Sequence, residues 1–188
     1  MGTIKTTNIE PIADNGTVTL GGSGDTFTVP SGVTVNMSNA TQTGVGETNT
    51  PAFYAYKSSG QSISDNTLTK VTFETELFDS DGKFAGSRFT PTVAGYYFVS
   101  STVSITNLPY GAYCLISPTK NGTQIFYALN VNGYSPAAVD TPVTATFMVY
   151  LDADDYLEIF IEQAGSGTSQ NTRTGQEVRF MAQRITGA

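Results

Sequence analysis

The sequence predicts an all-β protein built as an antiparallel sandwich, and three observations predict it. Thr (29), Gly (19), Ser (16) and Asn (11) dominate the 188 residues, a mixture of β-branched strand formers and turn formers rather than helix formers. From Pro51 onward apolar and polar residues alternate with period two, as half-buried antiparallel strands do. Turn signals recur about every ten residues, and no useful length of sequence carries helical periodicity. A hydrophobic share of 39%, with 11 Phe and 10 Tyr, is enough for a core that buries roughly 70% of the unfolded surface.

The first fifty residues read as an arm. Three short strand-like units recur, Thr17 to Leu20, Thr26 to Val29 and Val33 to Asn36, separated by the Gly-rich turn 21–25 and by Pro30-Ser-Gly32. Each is too short to bury anything alone, and such units gain stability by stacking on a neighbour. Apolar residues at Ile4, Ile9, Phe27, Val29 and Val33 would otherwise face water, so they are the expected docking contacts. Thr41 to Thr50 reads as a linker. The expected division is an arm over 1–50 and a head over 51–188.

Within the head, Val71, Phe73, Thr75 and Leu77 share one face of a strand, and Tyr97, Val99, Val103 and Ile105 share a face of the next long one. Leu115 and Ser117 lead into the turn Lys120-Asn-Gly122, and Ile125, Tyr127 and Leu129 follow it. Asn-Gly between two strand patterns is a strong hairpin signal. Val143, Ala145, Phe147, Val149 and Leu151 alternate without a break, as do Leu157, Ile159 and Ile161 and, in the last strand, Val178, Phe180 and Ala182. The simplest sandwich with this many strands is a jelly roll. Tyr96, Phe98, Met148, Tyr150, Tyr156 and Phe160 fall on positions opposite the inferred core. They predict an aromatic patch on one sheet that a monomer leaves bare and a homo-oligomer buries.

Composition removes several function classes. With no His and a single Cys, Cys114, a Ser-His-Asp triad, a Cys-His pair, a His-based zinc site and a thiolate cluster are all excluded. Cys114 is expected to be a small buried apolar residue. The net charge is −7, and the five Lys and four Arg are scattered, so no nucleic-acid partner is expected. No apolar stretch approaches the ~20 residues of a membrane span. Met1 to Pro11 lacks the apolar core of a signal peptide, which leads to the expectation of a protein made and used without classical secretion.

The head resembles the globular head of the complement C1q and tumour-necrosis-factor-like family. The resemblance is carried by Pro51-Ala-Phe-Tyr-Ala-Tyr56, Lys70-Val-Thr-Phe73, Leu77 to Phe84, Arg88-Phe-Thr-Pro91 and Ala94-Gly-Tyr-Tyr-Phe-Val99. Lys120-Asn-Gly122, Leu151 to Leu157 and Glu177 to Ile185 extend it over roughly three quarters of the chain. Val99 stands where the family usually has Phe, and Ala153-Asp154 replaces its Gly-Asp turn. The resemblance implies a ten-stranded jelly roll that assembles as a trimer around an axis lined with aromatics. The opening, Thr3 to Pro11 with Asp14 to Leu20 and Gly24 to Gly32, resembles the leader of structural proteins of marine tailed bacteriophages. That implies a virion component assembled in the host cytoplasm, with other virion proteins, capsid or tail, as partners.

If the chain enters and leaves the head at its base, as the family does, successive connections alternate between base and apex. Thr106 to Ala112, Asn130 to Pro142 and Ala164 to Gln176 are then apical, and Pro118 to Thr123 and Asp152 to Asp155 are basal. Exposed apical candidates for contact with host surface glycans are Tyr110, Tyr134, Asn171 and Arg173. Asp152, Asp154 and Asp155 are weak candidates for calcium, because they lack the ligand spacing and Gly of an EF-hand loop. No other cofactor is expected. Glycoside hydrolysis needs two carboxylates and no His, but Glu74, Glu76, Glu158 and Glu162 show no pairing of an acid with a nucleophile. The reading is a non-enzymatic virion protein, a capsid decoration or short head fibre. The alternatives are a receptor-binding tail-fibre tip and a free carbohydrate-binding module or glycosidase.

Overall fold

The structure is a computed structural model that describes residues 22–35, 50–132 and 137–185. The chain divides into two compact units, Met1–Val45 and Gly46–Ala188. In the first, two tight turns carry the backbone bonds Asp25 N to Gly22 O at 3.1 Å and Val33 N to Pro30 O at 3.3 Å. The unit Thr26 to Val29, expected to be strand-like, forms no strand, and nor do the described residues of Val33 to Asn36, while Thr17 to Leu20 lies outside the described residues. Phe27, Val29 and Val33 are all exposed, whereas the docking candidates Ile4 and Ile9 lie outside the described residues.

Among its described residues the second unit carries fourteen strands. They are β1 (Ala52–Lys57), β2 (Ser62–Ile63), β3 (Thr69–Lys70), β4 (Thr75–Asp79), β5 (Phe84–Ala85), β6 (Arg88–Phe89) and β7 (Gly95–Leu108). There follow β8 (Tyr113–Lys120), β9 (Thr123–Gln124), β10 (Ala128–Val131), β11 (Val139–Leu151), β12 (Leu157–Ala164), β13 (Gln170–Asn171) and β14 (Gly175–Arg184). One sheet runs β11-β7-β14-β1-β4 and the other β10-β8-β12-β6-β5, with β3 beside β12, β9 beside β8 and a small β13-β2 pair. All named pairings are antiparallel. No helix occurs among the described residues, and the two-sheet jelly roll predicted from alternation is the observed architecture.

The core between the sheets is aromatic at its centre. Phe53 of β1 stacks on Phe84 at 4.5 Å between centroids and meets Phe89 at 4.7 Å and the edge of Phe180 at 4.9 Å. Tyr97 is fully buried; its hydroxyl donates to Val93 O at 2.6 Å, and burial pushes its pKa up to about 12. Cys114 is buried as expected, with its thiol pushed up to about 12 by the same cause.

Two expectations about strands need correction. Val71 to Leu77 do not form one strand: β3 pairs with β12 in one sheet and β4 with β1 in the other, so the chain changes sheets in between. Val71 and Phe73 point into the core, while Leu77 lies at the register shift opposite Tyr54 and Ala55 and is exposed. The face of β10 is also inverted. Phe126 and Ala128 pack toward the core, whereas Ile125, Tyr127, Leu129 and Val131 are exposed.

The fully buried Lys57 is held by Thr72 O at 3.0 Å, Thr72 Oγ1 at 2.8 Å and Glu74 Oε1 at 2.9 Å. Glu74 also accepts from Ser58 N at 2.9 Å. Burial alone would raise the pKa of Glu74, but the bonds from Lys57, Thr72 and Ser58 and the Lys57 charge outweigh it and lower it to about 2. This latch ties the crossover between the sheets to the end of β1.

Phe53→Ala should cost about 3–5 kcal/mol in denaturant unfolding, because the Phe84, Phe89 and Phe180 rings lose a common neighbour; a loss under about 1 kcal/mol would show that the cluster collapses around the gap. Since the pKa of Glu74 is depressed on folding, its stabilisation is complete above the ordinary value of 4.5 and lost as pH falls toward about 2. Glu74→Gln should therefore be less stable than the wild type at neutral pH, with the two stability curves converging as pH falls; parallel curves would mean the pair is not linked to folding.

Candidate functional site

The outward face of the β11-β7-β14-β1-β4 sheet is apolar at one end. Tyr96 pairs with Tyr150 and Phe98 with Met148 across β7 and β11. Tyr96 and Tyr150 meet edge to face at 5.3 Å, and Met148 is 68% exposed. The apolar row continues through Met181, Tyr54 and Phe78, which face one another in register. A cavity of about 210 Å³ opens here, lined mainly by Tyr54, Phe78, Phe98, Met181 and Gln183. Toward the other end the face becomes polar, with hydroxyl pairs Ser100–Thr146 at 3.1 Å and Thr102–Thr144 at 3.0 Å.

Tyr54, Phe78 and Met181 were not singled out by sequence reasoning. Tyr54 and Met181 alternate with the buried Phe53, Ala55, Phe180 and Ala182, so strand parity alone could have found them. Phe78 required the irregular register between β1 and β4.

The expectation that six aromatic and Met positions share one sheet holds for Tyr96, Phe98, Met148 and Tyr150 and not for the other two. Phe160 lies in β12 of the opposite sheet, flanked by Lys70 and Ser117. Tyr156 precedes β12 and lies under the Arg88 guanidinium, 3.9 Å from its ring centroid. Parity assigns a residue to the inside or outside of a sandwich, but it does not say which of the two outer faces receives it.

A second apolar surface runs along the β10–β11 edge. Phe126 and Phe147 meet edge to face at 5.1 Å, and with Val149 they pack against the core cluster while staying only half-buried. The sandwich is thus incompletely closed on this side.

The connections gather at two ends, as parity predicts. Gly111 N donates to Asn132 O at 2.8 Å, Thr106 Oγ1 to Asn171 O at 3.0 Å and Arg173 N to Ser104 O at 2.8 Å, which joins the three apical connections. At the base Asn121 N donates to Tyr156 O at 3.0 Å, and Lys120 Nζ donates to Tyr150 O at 3.0 Å. Tyr110 projects from its apical turn, 63% exposed. Arg173 is not a free cation: its fork is engaged by Asp140 and by Glu177, whose Oε1 lies 2.5 Å from Nε. The Arg173 guanidinium in turn holds the Asp140 carboxyl below its usual range. Asn171 is exposed beside it, and Tyr134 lies outside the described residues.

The basal carboxylates have local partners. Asp155 accepts from Lys120 at 2.7 Å, Asn121 Nδ2 at 2.6 Å and Asp152 N at 2.8 Å, and these bonds lower its pKa to about 2. Asp152 and Asp154 are exposed in the turn, and no group of three acidic or Cys side chains is gathered for a metal among the described residues. Of the carboxylates weighed for hydrolysis, Glu74 is tied to Lys57, and Glu158 accepts from Lys70 at 2.6 Å and Arg88 at 2.9 Å. Glu162 accepts from the Tyr113 hydroxyl at 3.2 Å, and Glu76 is exposed on β4.

No protein-family model matches the sequence, and no curated protein matches it. Solved structures do. Eiger TNF from S. frugiperda superposes with a TM-score of 0.54 at 9% identity, covering 73% of this chain and 93% of that one. Murine APRIL superposes at 0.52 and 12% identity, covering 71% and 98%. The globular domain of zebrafish complement 1qA protein is 19% identical over 72% of this chain and 97% of its own, with a TM-score of 0.48. The head therefore has the jelly-roll fold found in Eiger TNF and APRIL.

Proposed function

We propose that this chain is a structural or accessory protein of a tailed-bacteriophage particle, a homotrimeric knob carried on the virion surface as a capsid decoration or short head fibre. The apolar outward face of the β11-β7-β14-β1-β4 sheet is the observation that carries the oligomer. That face and the half-open β10–β11 edge are different surfaces of one chain, so an edge from one copy can cover the face of the next. Repetition of such a heterologous contact closes a ring, and three is the number the family resemblance implies.

The virion setting rests on the resemblance of the leader and on the exposed Phe27, Val29 and Val33, which are suited to docking on another virion protein. The arm would hold the particle while the apical loops, with Tyr110 foremost, meet host surface glycans. A non-catalytic role accords with Glu74 and Glu158 being engaged in ion pairs. The exposed apical Tyr110 also favours a second reading, a receptor-binding tail-fibre tip.

Light scattering on the full chain should report a trimer, and Phe98→Glu combined with Met148→Glu should yield folded monomers, since charges on the buried face forfeit its association; a trimer surviving both changes would remove this face from the interface. Deleting the residues before Thr41 should abolish incorporation into particles while the head still assembles, and incorporation without the arm would contradict the docking role. A copy number of tens to hundreds per particle would support the capsid position, and a few trimers the tail.

A further inference from the structure

The centre line of the same outward face is β14, whose Val178, Phe180 and Ala182 point into the core while Arg179 and Met181 point out. Arg179 is half-buried between Tyr56 of β1 and Thr102 of β7, with Thr144 next in the row. Among the described residues its guanidinium meets only a backbone carbonyl, Gln176 O, at 3.4 Å. The other charged side chain on this line, Glu177, is taken by Arg173, which also holds Asp140.

In a trimer with β14 facing its axis, the guanidinium leaves water with no counter-charge from its own chain, and its symmetry copies approach one another. A lone buried cation costs several kcal/mol, and like charges add to that. The row supplies donors and no anionic acceptor. Thr102 and Thr144 share a single hydrogen bond of 3.0 Å, which leaves one hydroxyl hydrogen of the pair for a third group. Three forked guanidiniums with hydroxyl donors beside them match a tetrahedral oxyanion, which itself has three-fold symmetry and accepts paired N–H donors.

We propose that the assembled head holds one phosphate- or sulfate-sized oxyanion on its three-fold axis, bound by Arg179 from each copy with the Thr102–Thr144 hydroxyls as further donors. The proposal rests on the trimer inferred above and on β14 facing its axis. It makes the anion an assembly ligand, one that neutralises the polar half of the interface while Tyr96, Phe98, Met148 and Tyr150 bury the apolar half.

The test is equilibrium dialysis of the full chain against radiolabelled inorganic phosphate at constant ionic strength set with NaCl, with light scattering on the same samples. One phosphate per three chains, displaced by sulfate, is the expected result. Arg179→Met should remain trimeric with phosphate affinity reduced about tenfold or more, and Arg179→Lys, which keeps the charge without the fork, should fall between. A trimer that binds no phosphate, binds one per chain, or binds equally well as Arg179→Met would overturn the axial site and leave the trimer standing; the first of these would point to a carboxylate of the neighbouring copy as the counter-charge. A monomer under all conditions would overturn the trimer and the site together. If Arg179→Met does not fold, the wild-type stoichiometry and the Arg179→Lys affinity decide the matter.

Discussion

The rest of the structure depends on the last strand lying in the middle of a sheet. β14 fits between β1, which opens the head, and β7, and pairs with both in antiparallel register. Phe180 reaches Phe53, Phe73 and Phe84 from there, so the aromatic centre of the core forms only when the two ends of the head have met. Such long-range closure delays the reward of burial until the loop entropy has been met. It also places chain entry and exit together, since Arg184 N donates to Pro51 O at 3.2 Å.

That closure makes the functional face. Each inward residue of β14, β7 and β1 obliges its neighbour to face out, and the outward set is apolar at the base and hydroxyl-rich toward the apex. Tyr54, Met181, Phe98 and Met148 belong to four different strands, and they become one surface only through register. Apart from Glu177, held by Arg173 at its apical end, the ion-paired side chains lie off this face. Lys57–Glu74 fastens the crossover between sheets, Arg173 ties Asp140 to Glu177 at the apex, and Glu158 holds Lys70 and Arg88 on the opposite sheet. Few charges in the chain leave most of the surface to neutral hydroxyl and amide groups, and a free cation such as Arg179 stands out against them.

Much of the fold was legible because long strands announce themselves. β7 and β11 alternate over 14 and 13 residues, and their buried sets Tyr97, Val99, Val103, Ile105 and Val143, Ala145, Leu151 fall where period two puts them. The Asn121-Gly122 turn, with both residues at positive φ, forms the expected hairpin. Short strands were less legible. Ile125, Tyr127 and Leu129 are as apolar as a core set, yet the inward positions went to Phe126 and Ala128, because both parities of this edge carry apolar residues and packing chose between them. In the candidate site, Arg173 read as an exposed apical contact residue; it is exposed, but its guanidinium is already engaged by two carboxylates, 33 residues upstream and four residues downstream.

The sequence by itself determined the class of the fold, the inner and outer parity of its long strands and the exclusion of His- and thiolate-based chemistry. Those follow from local stereochemistry and composition. Only the tertiary structure decided which sheet each outward residue belongs to, so that Tyr156 and Phe160 part from Tyr96, Phe98, Met148 and Tyr150, and which charged side chains are already paired. The physical reason is that side-chain parity is a property of one strand, whereas a surface and an ion pair are properties of strands that meet from far apart in the chain.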